Sequence, residues 1–137
     1  MFKDFKIKIF ADGADLKSVK SLNKEEFIKG FTTNPSLMKK AGVTDYKSFS
    51  IELINLIGEK PISLEVFTDD IKEMEKQAKV ISSWGKNVYV KIPITNTKGE
   101  STVELVKTLL NLGVKCNVTA VFTLKQVKEI FENSNNK

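Results

Sequence analysis

The sequence contains no histidine, no arginine and only one cysteine, Cys116, among its 137 residues. Without histidine the usual general base near neutral pH is missing, and without arginine no guanidinium can hold a phosphate through paired hydrogen bonds. A single cysteine cannot form an intrachain disulfide bond, which fits a reducing compartment. Acid–base chemistry in this chain must therefore use Asp, Glu, Lys or water.

The sequence patterns of membrane spans, signal peptides, nucleotide-binding loops and metal sites are also missing. No apolar run approaches the roughly 18 residues of a membrane-spanning helix, and Met1–Phe10 alternates lysine with apolar residues rather than forming a signal peptide. We therefore expect a cytoplasmic protein with no membrane partner. The glycines form neither a dinucleotide-binding nor a phosphate-loop pattern, and no His/Cys cluster could bind a metal. We expect no cofactor and no metal.

All 22 basic residues are lysines, and the net charge is +5. They are spread along the chain, whereas a nucleic-acid surface typically shows a basic stripe with aromatic residues or arginine. We therefore expect no nucleic-acid partner. The hydrophobic fraction of 41% and the charged fraction of 28% are typical of a globular protein, and no linker interrupts the sequence. We predict a single domain, residues 1–137.

Five short apolar runs alternate with segments of helical periodicity, which favours a parallel sheet in a barrel or a doubly wound layer. The predicted strands are Lys6–Ala11, Lys29–Thr33, Ile62–Phe67, Asn87–Ile94 and Lys115–Val121. The predicted helices are Asp15–Leu22, Tyr46–Ile57, Ile71–Trp84, Glu100–Leu112 and Leu124–Asn133.

Three residues fit capping positions at the ends of the predicted helices. Asp69 and Thr123 are candidate helix N-caps, and Gly113 stands where a left-handed C-terminal cap is expected.

Side-chain alternation places polar residues on one face of the predicted sheet. In the fourth run, branched aliphatic residues share one parity, while Tyr89, Lys91 and Pro93 share the other. The aliphatic face should pack against helices, so Lys91 should lie on the opposite face. The residues that share this position late in or just after their strands are Asp12, Glu65, Lys91, Asn117 and Thr119. In a parallel barrel this is the interior at the C-terminal mouth, where such folds place their chemistry.

Each of these residues has a simpler interpretation when it is taken alone. Lys91 could be an edge residue whose head reaches water, and Asp12 could cap the helix that begins at Ala14 and Asp15. Glu65 could be a solvated strand residue, and Asn117 and Thr119 could serve only a turn or the strand ladder. Thr32–Ser36 could be a helix start with Ser36 as the cap. Their shared parity favours a functional site.

Three stretches carry a resemblance to a known family. They are Ile9-Phe10-Ala11-Asp12-Gly13-Ala14-Asp15, Gly30-Phe31-Thr32-Thr33-Asn34-Pro35-Ser36 and Val88-Tyr89-Val90-Lys91-Ile92-Pro93-Ile94-Thr95. In this order and spacing the sequence resembles the transaldolase family, in particular its short-chain branch, which includes fructose-6-phosphate aldolase. The resemblance extends to Asn117-Val118-Thr119-Ala120-Val121-Phe122 and covers essentially the whole chain.

The resemblance implies an α/β fold, a partial (β/α)8 TIM barrel made of the first five βα units. The family barrel has eight units, so we expect a chain truncated after the fifth. The family's serine and arginine phosphate-binding positions would lie in the missing strands.

The resemblance also implies the site residues and partners. Lys91 would form the Schiff base, Asp12 would be the acid–base residue for carbon–carbon cleavage, and Glu65 would activate the water of Schiff-base formation and hydrolysis. The substrate-binding residues would be Thr33, Asn34, Asn117 and Thr119. The substrates would be sugar phosphates, such as fructose 6-phosphate and sedoheptulose 7-phosphate, and the family's short branch implies a homo-oligomer.

Glu65 bears on the reaction type, because family aldolases tend to carry Gln at this position and transaldolases Glu. We therefore expect transfer of a dihydroxyacetone unit to an aldose phosphate. Three alternatives stay open: a fructose-6-phosphate aldolase, an inactive barrel fragment that pairs with itself through its open edges, and a basic binding module without enzymatic activity.

Overall fold

The computed structural model describes residues 6–134 as five strands and six helices. The strands are β1 (Ile9–Asp12), β2 (Ile28–Thr32), β3 (Ile62–Glu65), β4 (Val88–Pro93) and β5 (Cys116–Thr119). The helices are α1 (Leu16–Leu22), α2 (Pro35–Lys40), α3 (Tyr46–Ile57), α4 (Ile71–Ser82), α5 (Val103–Asn111) and α6 (Leu124–Ser134).

The strands form one sheet in the order β1-β2-β3-β4-β5, and the pairs β1–β2, β2–β3 and β4–β5 are parallel. At least one helix separates each strand from the next, which is the succession of the first five units of a (β/α)8 barrel. The predicted α/β class and partial TIM barrel are confirmed. Part of the N-terminal segment on which the signal-peptide prediction rests, residues 1–5, lies outside the described residues. None of the helices within residues 6–134 has the length and apolar character needed to cross a lipid bilayer.

The chain divides into two compact units, and the single domain predicted from the sequence stays a prediction. Unit 1 contains the chain up to Leu64 together with Gly85–Val88. In it, Phe10 of β1 lies opposite Gly30 of β2, and Asp12 lies opposite Thr32. The buried apolar side chains of this unit include Ile28, Phe31, Met38, Leu53, Ile57 and Ile62.

Unit 2 contains Glu65–Trp84 and Tyr89–Lys137. Here α4 packs against α5, and α5 packs against both β5 and α6. The predicted alternation in β4 is confirmed, because Val90 and Ile92 are fully buried while Tyr89 is 36% exposed. The buried apolar side chains of this unit also include Met74, Ala78, Ile81, Ile94, Val106 and Leu109.

The N-cap residues of three helices lie one to three residues from the candidates that the sequence offered, while the predicted start of α4 at Ile71 is confirmed. Asp15, not Asp12, caps α1, because its carboxylate accepts the Ser18 N–H at 2.8 Å. Asn34, not Ser36, caps α2, a six-residue helix that was not predicted as a separate element. Asp70, not Asp69, caps α4. In each case the capping side chain stands three residues before the N–H that it accepts. Other polar residues nearby could cap equally well, so the sequence alone does not identify the cap.

Two other predicted helix ends are confirmed. Gly113 follows α5 with φ +79°, and its N–H donates to Leu110 O while that of Val114 donates to Leu109 O. This is the Schellman arrangement that favours glycine. At the start of α6, Thr123 Oγ1 accepts the Gln126 N–H at 3.2 Å, and Gln126 Oε1 accepts the Thr123 N–H at 3.0 Å. This reciprocal capping box fixes the first turn of α6.

Candidate active site

Lys91 and Glu65, both in unit 2, form an ion pair at the site predicted from the sequence. Lys91 Nζ lies 3.4 Å from Glu65 Oε2, and the two side chains are only 12% and 22% exposed. Lys91 O accepts the Val66 N–H at 3.2 Å, which ties the residue after Glu65 to β4. The pair is therefore held on neighbouring backbone segments and is largely shielded from water.

Strand β5 adds two polar side chains beside this pair. Asn117 is the register partner of Lys91, and Thr119 is the partner of Pro93. In a parallel pair, directly opposed residues point to the same face of the sheet. Thr119 O also accepts the Ile94 N–H at 2.9 Å, which extends the pairing to the end of β4. Asn117 is exposed.

The backbone turns sharply directly after Thr119. Ala120 has φ +57° and is, among residues 6–134, the sole non-glycine residue with a positive φ. A left-handed conformation at a residue with a Cβ is strained by about 1 kcal/mol. The strain lies next to a predicted substrate-binding residue, where such outliers are often found.

Three predicted site residues belong to unit 1. Asp12 ends β1 and is exposed, and the N–H of the next residue, Gly13, donates to Thr32 O at 3.1 Å. Thr33 is 1% exposed, and its backbone N–H donates to Ser63 O at 3.2 Å. Asn34 is half-buried and uses Oδ1 to accept the Leu37 N–H at 2.8 Å. Asn34 thus has a helix-capping role, while Asp12 has no such role in α1.

Of the described residues, no three His, Cys, Asp or Glu side chains are grouped as ligands for a metal ion. Cys116 is half-buried at the start of β5, and burial raises the pKa of its thiol to about 11.

The sequence of the chain was compared with known proteins. Residues 9–136 match the family described as Transaldolase/Fructose-6-phosphate aldolase. The chain belongs to this family. The resemblance proposed from the sequence is therefore confirmed over nearly the whole chain, including the segments that carry Asp12, Glu65 and Lys91.

Three curated relatives are similar to this transaldolase-family chain at 36–38% identity over 120 residues, each covering 88% of it. They are a "Probable transaldolase" from Dehalococcoides mccartyi at 38%, one from Methanococcus maripaludis at 37% and one from Streptococcus agalactiae at 36%. The chain spans 53–54% of the length of these relatives.

The loops after β3 and β4 contain polar residues that the sequence did not single out as functional. Asp69 accepts the Thr97 N–H and the Thr97 hydroxyl, each at 2.7 Å. Asn96 is 6% exposed and is surrounded by hydrogen bonds from its own loop. The sequence feature that could have indicated the contact of Asp69 is the pair Asp69-Asp70, because only one of the two aspartates is needed to cap α4.

Proposed function

We propose that the chain carries the Schiff-base machinery of a transaldolase, with Lys91 as the amine that reacts with a ketose phosphate. The observation that carries the proposal is the shielded Lys91–Glu65 pair at 3.4 Å in a chain of the transaldolase/fructose-6-phosphate aldolase family. The names of the three relatives support the same reaction class.

The proposed reaction begins at the substrate carbonyl. The neutral amine of Lys91 attacks the carbonyl carbon, and loss of water from the resulting carbinolamine gives an iminium. The C3–C4 bond then breaks, and its electron pair moves toward the iminium nitrogen to form an enamine. Asp12 accepts the proton of the C4 hydroxyl, and an aldose phosphate leaves. The iminium supplies the electrophilic chemistry, so the proposal needs no metal or cofactor.

Glu65 has a proposed role in the water-dependent steps. Its carboxylate is close enough to Lys91 to exchange protons with water that enters or leaves the carbinolamine. In a transaldolase the enamine attacks a second aldehyde, and hydrolysis then releases the new ketose phosphate. A carboxylate at this position favours transfer; a fructose-6-phosphate aldolase would instead protonate the enamine and release dihydroxyacetone.

The proposed substrate-binding groups are Thr33, Asn34, Asn117 and Thr119. The register pairing of Asn117 with Lys91 supports Asn117 as the group that holds a hydroxyl near the reacting carbon. The burial of Thr33 means that its hydroxyl does not reach solvent in the described structure. The chain has no arginine, so we propose that the substrate phosphate is held by groups outside these 137 residues.

We also propose a setting for this activity. The substrates are sugar phosphates of the pentose phosphate pathway, and the location is the cytoplasm. The partners do not include nucleic acid or a membrane, and the family resemblance supports a homo-oligomer.

Borohydride trapping tests the proposal directly. The chain is incubated with fructose 6-phosphate, reduced, digested and mapped by mass spectrometry; the adduct should lie on Lys91. Lys86 and Lys98 are internal controls, because they flank the same strand and carry the same amine. An adduct on either of them instead of Lys91, or no adduct on a polypeptide that includes the rest of the barrel, would overturn the assignment. Release of free dihydroxyacetone without an acceptor would favour the aldolase.

A further inference from the structure

Two loops extend from the carboxyl ends of the strands that carry the ion pair. The first, residues 66–70, follows Glu65; the second, residues 94–102, follows the Lys91 strand. Both loops belong to unit 2. They are joined by Asp69, whose two carboxylate oxygens accept the N–H and the hydroxyl of Thr97, each at 2.7 Å. The hydrogen bonds from Thr97 hold the pKa of Asp69 below its ordinary value, so the carboxylate is ionised at neutral pH.

Asn96 gives the second loop a fixed shape. Its Oδ1 accepts the N–H groups of Lys98 and Glu100 at 3.1 and 2.9 Å, and its Nδ2 donates to the Glu100 carboxylate. The same Nδ2 donates to Asp69 O at 3.4 Å, a second link between the loops. A buried amide with these partners leaves the loop few alternative conformations. Thr97 is thus presented to Asp69 by a rigid segment.

The first loop is fixed at its other side by α4. Gln77 Oε1 accepts the N–H groups of Phe67 and Thr68 at 3.0 and 3.3 Å. Directly before Phe67, the Val66 N–H donates to Lys91 O at 3.2 Å. Hydrogen bonds therefore fix each residue of the segment 66–69, which joins the Asp69–Thr97 contact to the backbone between Glu65 and Lys91.

We propose that Asp69 and Thr97 are positioning residues that hold the ends of β3 and β4 so that Glu65 stays within reach of the Lys91 amine. The inference rests on the proposed Schiff-base function for its catalytic consequence. Neither residue touches the reacting atoms. Their effect is to fix a separation, and a displacement of about 1 Å in such a pair can lower a rate by up to about 100-fold.

The chain offers a matched control for this hydrogen-bond pattern. Asp45 is an exposed carboxylate that accepts an N–H and a hydroxyl from one residue, Ser48, at 3.0 and 2.8 Å. Its pKa is lowered by the same kind of bonds. It caps α3 in unit 1, whereas the loops that follow Glu65 and Lys91 belong to unit 2. Asp45→Ala therefore removes equivalent bonds elsewhere in the chain.

Three variants test the proposal. Thr97→Val removes the hydroxyl but keeps the shape of the side chain, and Thr97→Ser retains the hydroxyl. Asp69→Ala removes both hydrogen bonds of the carboxylate and keeps the backbone oxygen that accepts from Asn96. The first measurement is amide hydrogen exchange at Val66, followed by NMR. Exchange should accelerate about tenfold in Asp69→Ala and several-fold in Thr97→Val, and it should return to the wild-type rate in Thr97→Ser. Asp45→Ala should leave the Val66 rate unchanged even if it lowers Tm equally.

The second measurement is the rate of borohydride-trapped adduct formation at Lys91 as fructose 6-phosphate is varied. We expect Asp69→Ala to lower the maximal rate about tenfold with little change in the half-saturating concentration, because the substrate-binding residues are untouched. Unchanged Val66 exchange in Asp69→Ala would overturn the positioning role. If the wild-type sequence forms no adduct within a polypeptide that includes the rest of the barrel, that result would instead count against the proposed function, and the exchange measurement would still decide the role of Asp69.

Discussion

Lys91 and Asn117 are direct register partners on β4 and β5, so the amine of Lys91 and the amide of Asn117 project from neighbouring positions on one face of the sheet. With Glu65 on the other side of Lys91, an amine, a carboxylate and an amide occur on three successive strands. In the proposed reaction the amine attacks the carbonyl carbon, the carboxylate moves protons and the amide holds a hydroxyl group.

Replacing Glu65 with Gln should slow adduct formation at Lys91 by about 10- to 100-fold, because the group that exchanges protons with water is lost. The measurement is borohydride trapping at saturating fructose 6-phosphate. Glu73→Gln is the matched control, since Glu73 pairs with Lys76 at 2.6 Å on the exposed face of α4. Equal trapping rates in the Glu65 and Glu73 variants would remove Glu65 from the mechanism.

Asp12→Asn should slow carbon–carbon cleavage by about 10²- to 10⁴-fold while Schiff-base formation at Lys91 continues. The test is performed in a polypeptide that carries these residues within a complete barrel, with release of the aldose phosphate followed by a coupled assay. Asp15→Asn, three residues away, removes a carboxylate charge but keeps an N-cap for α1, so it is the control for loss of charge in this segment. Undiminished turnover in Asp12→Asn would mean that Asp12 is not the acid–base residue.

Gly30→Ala should destabilise the chain by about 2 kcal/mol, as expected for overpacking. A Cβ at Gly30 would overlap Cε1 of Phe10 and would lie 2.8 Å from the backbone oxygen of Pro61. Gly85→Ala is the matched control, because its nearest neighbours are side-chain atoms of Asn87 and Ile54 that can shift. Urea unfolding should show the larger loss for Gly30→Ala; an equal or smaller loss would contradict the close approach of Phe10.

Cys116 should react slowly with iodoacetamide. With its thiol pKa raised to about 11, against an ordinary value of 9.0, the thiolate fraction at pH 8 falls about 100-fold. Because the folded state keeps the proton longer, this thiol contributes stability that is present below pH 9 and is lost as the pH rises towards 11. Alkylation followed by mass spectrometry should be at least tenfold faster in urea than in buffer. Equal rates would show that Cys116 is accessible as a thiolate.

We predict that the 137-residue chain self-associates through a second copy of α6 and has little or no transaldolase activity by itself. Leu124, Val127 and Phe131 form an apolar stripe that is 51–80% exposed. The first half of α6 carries Lys125 and Lys128, and the second half carries Glu129 and Glu132. An antiparallel pair of α6 helices would therefore set basic halves against acidic halves. Low activity follows from the absence of arginine to hold the substrate phosphate.

Light scattering and a coupled assay check the two parts of this prediction. Phe131→Glu should shift the chain toward monomer, whereas Leu112→Glu, at a similarly exposed apolar residue after α5, should not. A monomeric wild-type chain would contradict the first part, and turnover typical of the family would contradict the second.

The sequence predicted those features that depend on a local period. Lys91 could be assigned a face because Val88, Val90 and Ile92 alternate with it over a six-residue strand. The short helix α2 was missed because six residues beginning at a proline hold no helical period. The role of Asp69 was missed because its partner Thr97 is 28 residues away, and no pattern in either segment specifies that contact.

The two units contain different parts of the proposed chemistry. Lys91, Glu65, Asn117 and Thr119 belong to unit 2, whereas Asp12, Thr33 and Asn34 belong to unit 1. A substitution at Asp12 should therefore spare imine formation, and selection could alter bond cleavage while the amine chemistry of unit 2 is inherited unchanged. For an engineer, unit 2 is the part to keep fixed. A library of variants in unit 1 alone could be screened for reactions at other carbon–carbon bonds while Lys91 and Glu65 stay unchanged.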